Sequence, residues 1–279
     1  MTEKKISGVV ITFFSTASAV GKTLISVNMA SELARQGYRV CLADYDLQFG
    51  DIANYLRLSA HRSSYDVIEA LRQNNQADLQ QLLVTYRYGT ISFDVLPAPE
   101  SLEQAYNLSP EDCTELIKKL RLLYDYVIID TTSMFSKLNL AMLDLSTIVT
   151  FLGVVDFIPT IKNMKIGNDT LRTLNYNTNK IRMVLNRSDA KTRIPLDSVE
   201  KLLGEGFYHI LPNDFQAASE SIATGVPLVL GDSDGVLAEE IRKLIFRYTN
   251  KAYVPERETV PVKSQERRKS GFFGKIFGR

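Results

Sequence analysis

Residues Phe14 to Thr23 read F-S-T-A-S-A-V-G-K-T, and the closing Gly21-Lys22-Thr23 can do phosphate chemistry. A lysine ammonium reaches β- and γ-phosphates and a threonine hydroxyl ligates a divalent cation, provided the preceding backbone turns its N–H groups toward the anion. Three aspartates belong to the same chemistry. Asp44 and Asp46 stand in D-Y-D-L-Q-F-G-D, and Asp130 ends Y-V-I-I-D after four apolar residues. A carboxylate carried at the end of a buried strand is well placed to hold a metal. The triplet alone reads equally as an ordinary strand-to-helix turn, and any one of the aspartates as a solvated turn. Three carboxylates, a lysine and a threonine converging on one edge are harder to explain that way.

These groups need elements that bring them together. Residues 6–14 (I-S-G-V-V-I-T-F-F) are β-branched and aromatic and predict a buried strand. A helix follows over 22–36, with Ile25, Met29 and Leu33 on one face and Gly37 closing it. Further short apolar runs fall at 39–44, 91–97, 126–130, 147–153, 181–186 and 208–212. Helical segments are expected at 65–84, 110–123, 138–145, 159–174, 215–224 and 234–249. Near-continuous apolar strands alternating with helices predict an α/β fold, a mostly parallel twisted sheet with helices on both faces. In such a sheet Asp44, Asp46 and Asp130 share the carboxyl-terminal edge, where ligands bind.

The chain has 279 residues, 45% of them hydrophobic, enough for a sizeable core. Its two cysteines, Cys41 and Cys113, have no metal-ligand spacing, and a reduced cytoplasmic setting is expected. No apolar run of about 18 residues or more appears, so no membrane-spanning helix is expected. The formal charge is +1, yet residues 250–279 hold eight basic and three acidic residues; that segment carries +5 and the rest of the chain −4. Within it, V-P-E-R-E-T-V-P-V-K-S-Q-E-R-R-K reads as a linker.

The order S-T-A-S-A-V-G-K-T, N-M-A-S-E-L-A-R-Q-G-Y-R-V-C-L-A-D-Y-D, Y-D-Y-V-I-I-D and V-L-N-R resembles the MinD/ParA class of deviant Walker ATPases. Within that class, D-Y-D-L-Q-F-G-D-I-A-N-Y-L and L-P-N-D-F-Q-A-A-S-E-S-I-A-T-G-V-P-L are most similar to the CpaE/TadZ branch, which helps localise Tad-type pilus machinery. The resemblance implies a P-loop ATPase-like domain over 1–250, a flexible linker over 251–268 and an amphipathic tail over 269–279. The regulator-like N-terminal domain common in that branch is expected to have no counterpart.

The resemblance also implies residue roles. Ser18, Ala19, Val20, Gly21, Lys22, Thr23 and Leu24 would hold the phosphates of ATP. Thr23, Asp44 and Asp130 would serve Mg2+, with Asp46 orienting the attacking water and Lys22 the transferred phosphate. Asn186 would hydrogen-bond the adenine beside Arg187, with Pro212, Asn213 and Asp214 closing over the base. The family pattern G-K-G-G-x-G-K-T meets Thr16, Ala17, Ser18 and Ala19 in its first four positions, so only Gly21 survives. Two left-handed positions filled by residues with a Cβ would cost about one to two orders of magnitude in affinity. Ala17 replaces the signature lysine that, in the family, reaches a dimer partner's phosphates, so hydrolysis is expected to be slow or absent.

The last residues, G-F-F-G-K-I-F-G-R, place Phe272, Phe273, Ile276 and Phe277 on one helical face, with Lys275 and Arg279 off it. This is similar to the membrane-targeting tail of MinD and implies peripheral attachment to an anionic surface at the inner face of the cell membrane. Expected partners are a second copy of the chain in a nucleotide-dependent homodimer and a pilus or secretion protein. The phenylalanines point to lipid rather than DNA. Other readings of the same residues are a non-hydrolysing scaffold and a flagellar, division-site or DNA-partitioning ATPase. An iron–sulfur reductase of this fold would need bridging cysteines after strands, and Cys113 falls in an expected helix.

Overall fold

An apolar run of six residues in an extended chain has two faces to bury, because successive side chains alternate. The computed structural model, which describes residues 7–74, 76–188, 194–231 and 235–250, covers both faces with helices. In chain order the elements are β1 (Val9–Phe14), α1 (Lys22–Arg35), β2 (Val40–Tyr45), α2 (Ile52–Tyr55), α3 (Ser64–Gln73), α4 (Leu79–Leu82), β3 (Val84–Tyr88), β4 (Ile91–Leu96), α5 (Leu102–Tyr106), α6 (Pro110–Leu120), β5 (Tyr126–Thr131), α7 (Lys137–Leu145), β6 (Ile148–Gly153), α8 (Ile158–Thr173), β7 (Ile181–Leu185), α9 (Leu196–Leu203), β8 (His209–Ile210), α10 (Phe215–Thr224) and α11 (Val236–Thr249).

The strands form one eight-stranded sheet in the order β3-β4-β2-β5-β1-β6-β7-β8. All neighbours are parallel except β3 and β4. Ile11 and Phe13 of β1 face a core shared with Ile25, Met29 and Leu33 of α1 and with Ile241 and Ile245 of α11. On the other face Val10 joins Leu116, Ile117 and Leu120 of α6, while Phe14 joins Ile161 and Met164 of α8. The helical face expected of α1 is therefore the buried one.

Local chemistry explains several helix starts. Ser109 and Asp112 form a reciprocal capping box on α6, with Pro110 in the first turn, and Ser63 and Asp66 do the same for α3; each satisfies N–H groups that a helix end leaves unpaired.

The helix expected over 65–84 is three elements. Asn74 takes an extended conformation and ends α3. The Asp78 side chain then accepts from the Gln80 N–H and starts the single turn of α4. V-T-Y-R-Y becomes β3, which pairs antiparallel with β4 around Gly89–Thr90, Tyr88 opposite Ile91. β-branched and aromatic residues beside a strand partner outweigh helical periodicity there. The helices α2, α5 and α9 were not anticipated, and the strand expected over 208–212 shortens to β8. The linker at 251–268 and the tail at 269–279, with Phe272, Phe273, Lys275, Ile276 and Phe277, lie outside the described residues.

Candidate functional site

Four parallel strands end at one edge and each contributes to a single cleft. Asp44 and Asp130 are register partners on β2 and β5, and Phe13 of β1 lies beside Asp130. The chain leaving β1 therefore starts next to Asp130, with Asp44 one strand further on. Asn186 follows β7 and is tied by its N–H to the Gly153 carbonyl at 2.8 Å. The resulting cleft of about 600 Å³ is lined by Ser18, Ala19, Gly21, Lys22, Thr23, Leu24, Asp44, Asp46, Asp130, Asn186, Arg187, Pro212, Asn213 and Asp214. Its size suits a small-molecule ligand.

The loop from 15 to 21 feeds directly into the N-terminus of α1, where unpaired N–H groups and the helix dipole favour an anion. Gly21 caps that helix at φ 97, and a Cβ on it would lie 2.6 Å from Asn186 Nδ2. A side chain is thus barred there twice, by conformation and by space. Ala19 adopts φ 56, while Thr16, Ala17 and Ser18 are not among the residues with positive φ. The expectation of two strained loop positions is corrected to one, and the associated strain to about 1–2 kcal/mol.

The Val20 side chain is buried in the core under α1. Its carbonyl accepts from Asn186 Nδ2 at 2.8 Å. Asn186 Oδ1 accepts from the Arg187 N–H at 3.0 Å. Asn186, assigned to the base, thus braces the phosphate-side loop as well as forming a wall. Asp214 accepts from the Ala217 N–H at 3.0 Å and caps α10, which fixes the Pro212–Asp214 turn against the opening.

Charge is concentrated at the foot of the cleft. Thr23 Oγ1 donates to Asp130 Oδ2 at 2.6 Å, leaving the hydroxyl lone pairs available. Asp130 Oδ1 is buried with no hydrogen-bond partner. Burial pushes the Asp130 carboxyl up to about 6, opposed by the Thr23 hydroxyl and the Lys22 ammonium. Asp44 is held well above the usual carboxylate range, first by burial and then by Asp130. Its two oxygens accept from the Asp46 N–H at 3.2 Å and the Ile52 N–H at 3.1 Å. Gly50 makes this approach feasible, since a Cβ there would sit 2.5 Å from Asp44 Oδ2. Asp46 accepts from the Phe49 N–H at 3.2 Å.

An unpartnered buried carboxylate oxygen beside a hydroxyl is a hard-oxygen donor pair, which fits Mg2+. Among the described residues no three His, Cys, Asp or Glu side chains cluster as a metal cage.

The raised Asp130 value has a stability consequence. Because its folded-state value of about 6 lies above the ordinary 3.8, the folded protein binds the proton more tightly than the unfolded chain. Stability of cation-free protein should therefore fall by about 1–3 kcal/mol as pH rises through that window. Asp130→Asn should flatten this dependence and be the more stable protein at pH 7.5. Urea unfolding in chelator at several pH values measures it; a less stable variant would contradict the assignment.

Sequence reasoning missed several groups in and around the cleft. Ser133 of the β5–α7 turn reaches Lys22 Nζ at 2.9 Å, and Ser15 reaches it at 3.1 Å. Neither carries a spacing signal. At the mouth, Phe49, Met134 and Phe215 are 73%, 63% and 75% exposed and line the same cleft. One exposed phenylalanine is ordinary, but several large apolar groups around one opening mark a contact surface. Cys113 lies in α6 and Cys41 in β2, both buried and free.

The chain is similar to known proteins. Residues 11–228 match the family model described as the CobQ/CobB/MinD/ParA nucleotide binding domain. The septum site-determining protein MinD of Helicobacter pylori is 27% identical over 284 residues, taking in 97% of this chain and 98% of that protein. A solved ParA family ATPase from Chlorobium tepidum TLS has a TM-score of 0.78 at 22% identity, over 86% of this chain and 99% of that one. The septum site-determining protein MinD of Pyrococcus horikoshii OT3, solved with Mg-ADP, has a TM-score of 0.73 at 19% identity, over 86% of this chain and 96% of that one. At these identities the structural likeness is one of fold.

Proposed function

The chain belongs to the CobQ/CobB/MinD/ParA nucleotide-binding family, and from that membership we propose that it binds Mg·ATP and acts as a membrane-associated spatial positioning factor. Nucleotide state sets its self-association, and hydrolysis is slow or absent. The observation that carries the reading is the joint placement of Lys22, the Thr23–Asp130 pair and the loop N–H groups at the foot of a cleft with an exposed apolar mouth. Lys22 and the N-terminus of α1 bind the phosphates. Thr23 and Asp130 hold Mg2+, which when bound neutralises charge building on the phosphate oxygens. Asp46 orients water at the cleft edge, and Pro212, Asn213 and Asp214 wall the base.

The mouth residues Phe49, Met134 and Phe215 would be covered by a second copy across the nucleotide. The resemblance puts at position 17 the lysine that, in the family, reaches a dimer partner's phosphates, and here it is an alanine. The process positioned is of the septum-site or partition kind named for the relatives. A second reading, placement of a pilus or secretion complex, is carried by D-Y-D-L-Q-F-G-D and the L-P-N-D-F-Q segment and their similarity to the CpaE/TadZ branch. In either setting the chain acts as a switch, or as a nucleotide-locked scaffold where turnover is lost.

Among the described residues no helix is long and apolar enough to cross a membrane, so attachment falls to the tail. Phe272, Phe273, Ile276 and Phe277 enter the headgroup boundary and Lys275 stays at the surface beside Arg267, Arg268 and Lys269, each worth about 1 kcal/mol on anionic lipid. One copy of so short a segment binds marginally, and a dimer gains avidity. Co-sedimentation with anionic liposomes should therefore pellet the full chain more with Mg·ATP than with Mg·ADP, and pellet a 1–260 truncation several-fold less. Equal pelleting of the two proteins would reject the tail's role.

A further inference from the structure

Lys22 sits in a closed set of hydrogen bonds that the nucleotide reading above does not use. Its ammonium donates to Ser133 Oγ at 2.9 Å and to Ser15 Oγ at 3.1 Å. Both hydroxyls donate in turn to one acceptor, the Ala17 carbonyl, each at 2.8 Å. A hydroxyl has a single hydrogen, so with both hydrogens committed to Ala17 the lone pairs are left facing the ammonium. An ammonium has three hydrogens. Two are taken by the serines and the third is left for the cleft.

The two serines have different anchors. Ser15 belongs to the phosphate-side loop itself. Ser133 lies on the turn after β5, whose backbone is held by Asn139 of α7, with Nδ2 donating to Thr132 Oγ1 and to the Met134 carbonyl, both at 2.7 Å. Asn139 is buried. Ser133 is therefore a fixed acceptor on a separate element, and it sets where along its reach the flexible lysine stops.

We infer that Ser133 is a positioning residue that aims Lys22 at the terminal phosphate and so sets the preference for a nucleoside triphosphate over the diphosphate. The inference rests on the nucleotide reading of the cleft. An unaimed lysine can still serve the β-phosphate, which both nucleotides carry; losing the aim weakens the contact that only the triphosphate offers. A charge-assisted hydrogen bond is among the stronger protein contacts, so the expected loss is about tenfold in ATP affinity, with ADP affinity changed less than about threefold.

The test is equilibrium binding of Mg·ATP and Mg·ADP, by competition with a fluorescent nucleotide, to full-length wild type, Ser133→Ala, Ser133→Thr and Ser133→Cys, with thermal melts as folding controls. The expected result is a fall in the ATP/ADP affinity ratio in Ser133→Ala, its restoration in Ser133→Thr, and the same fall in the near-isosteric Ser133→Cys, which stands in if the alanine variant does not fold. An unchanged ratio, or equal losses for both nucleotides, would overturn the inference while leaving the nucleotide site standing. Wild type that binds neither nucleotide would overturn both.

Discussion

Lys22→Ala is expected to weaken Mg·ATP binding by about a hundredfold while leaving the fold intact. The ammonium is the cation placed at the cleft foot by the strand-to-helix loop, and burial lowers its pKa, partly offset by Asp130 and Asp46. A partly desolvated charge interacts more strongly with phosphate than one in bulk solvent, because the local dielectric is lower. One charge-assisted contact at about 1.5–3 kcal/mol, together with the lost attraction between the charge and the remaining phosphate oxygens, amounts to about two orders of magnitude. The fold should tolerate the change, since Ser15 and Ser133 keep their bonds to the Ala17 carbonyl without the lysine. Competition against a fluorescent ATP analogue measures the loss and a thermal melt the fold. A loss below about threefold would remove Lys22 from the phosphate site.

Steady-state hydrolysis by the wild type should be slow, and Ala17→Lys should raise it by tenfold or more with ATP affinity changed by less than about threefold. The argument is electrostatic. A cation aimed at charge developing on the transferred group is worth about 10³–10⁵ in rate where it has been removed and restored. Position 17 offers a methyl group packed against the core cluster, and its carbonyl holds two serine hydroxyls. A lysine side chain would leave that carbonyl in place. Phosphate release from wild type and Ala17→Lys, with Lys22→Ala as blank, decides the matter. Wild-type turnover that Ala17→Lys does not increase would mean position 17 is not what limits the reaction.

The chemistry of the site was legible wherever one residue type at one strand end carries it. Asp44 and Asp130 each follow an apolar run, and parallel strands in register must deliver both to one edge. Gly21-Lys22-Thr23 was legible for the same reason, as a strand-to-helix junction. What could not be read were groups whose role exists only through tertiary contact. Ser15 and Ser133 are 118 residues apart and meet only because β1 and β5 are neighbours. Asn186 could be placed at the end of its strand, at the ligand-binding edge, but not its commitment to the Val20 carbonyl.

Backbone strain was overcounted for a related reason. A missing glycine in the pattern says that a Cβ is present, not which positions take φ > 0, and only Ala19 does so among the four replaced residues. The error over 65–84 came from local competition. Continuing the preceding helix through V-T-Y-R-Y overlooks its β-branched and aromatic residues, which favour a strand, and the hairpin with I-S-F-D-V-L forms one.

The measurement that bears most directly on the account is a calorimetric titration of wild-type protein with ATP in the presence and absence of Mg2+, with light scattering on the same samples. The account predicts saturable binding of one nucleotide per chain, weakened when Mg2+ is chelated because Thr23 and Asp130 then lose their cation, and a doubling of mass with Mg·ATP. Folded protein that gives no binding heat at millimolar Mg·ATP and no change of mass would contradict it.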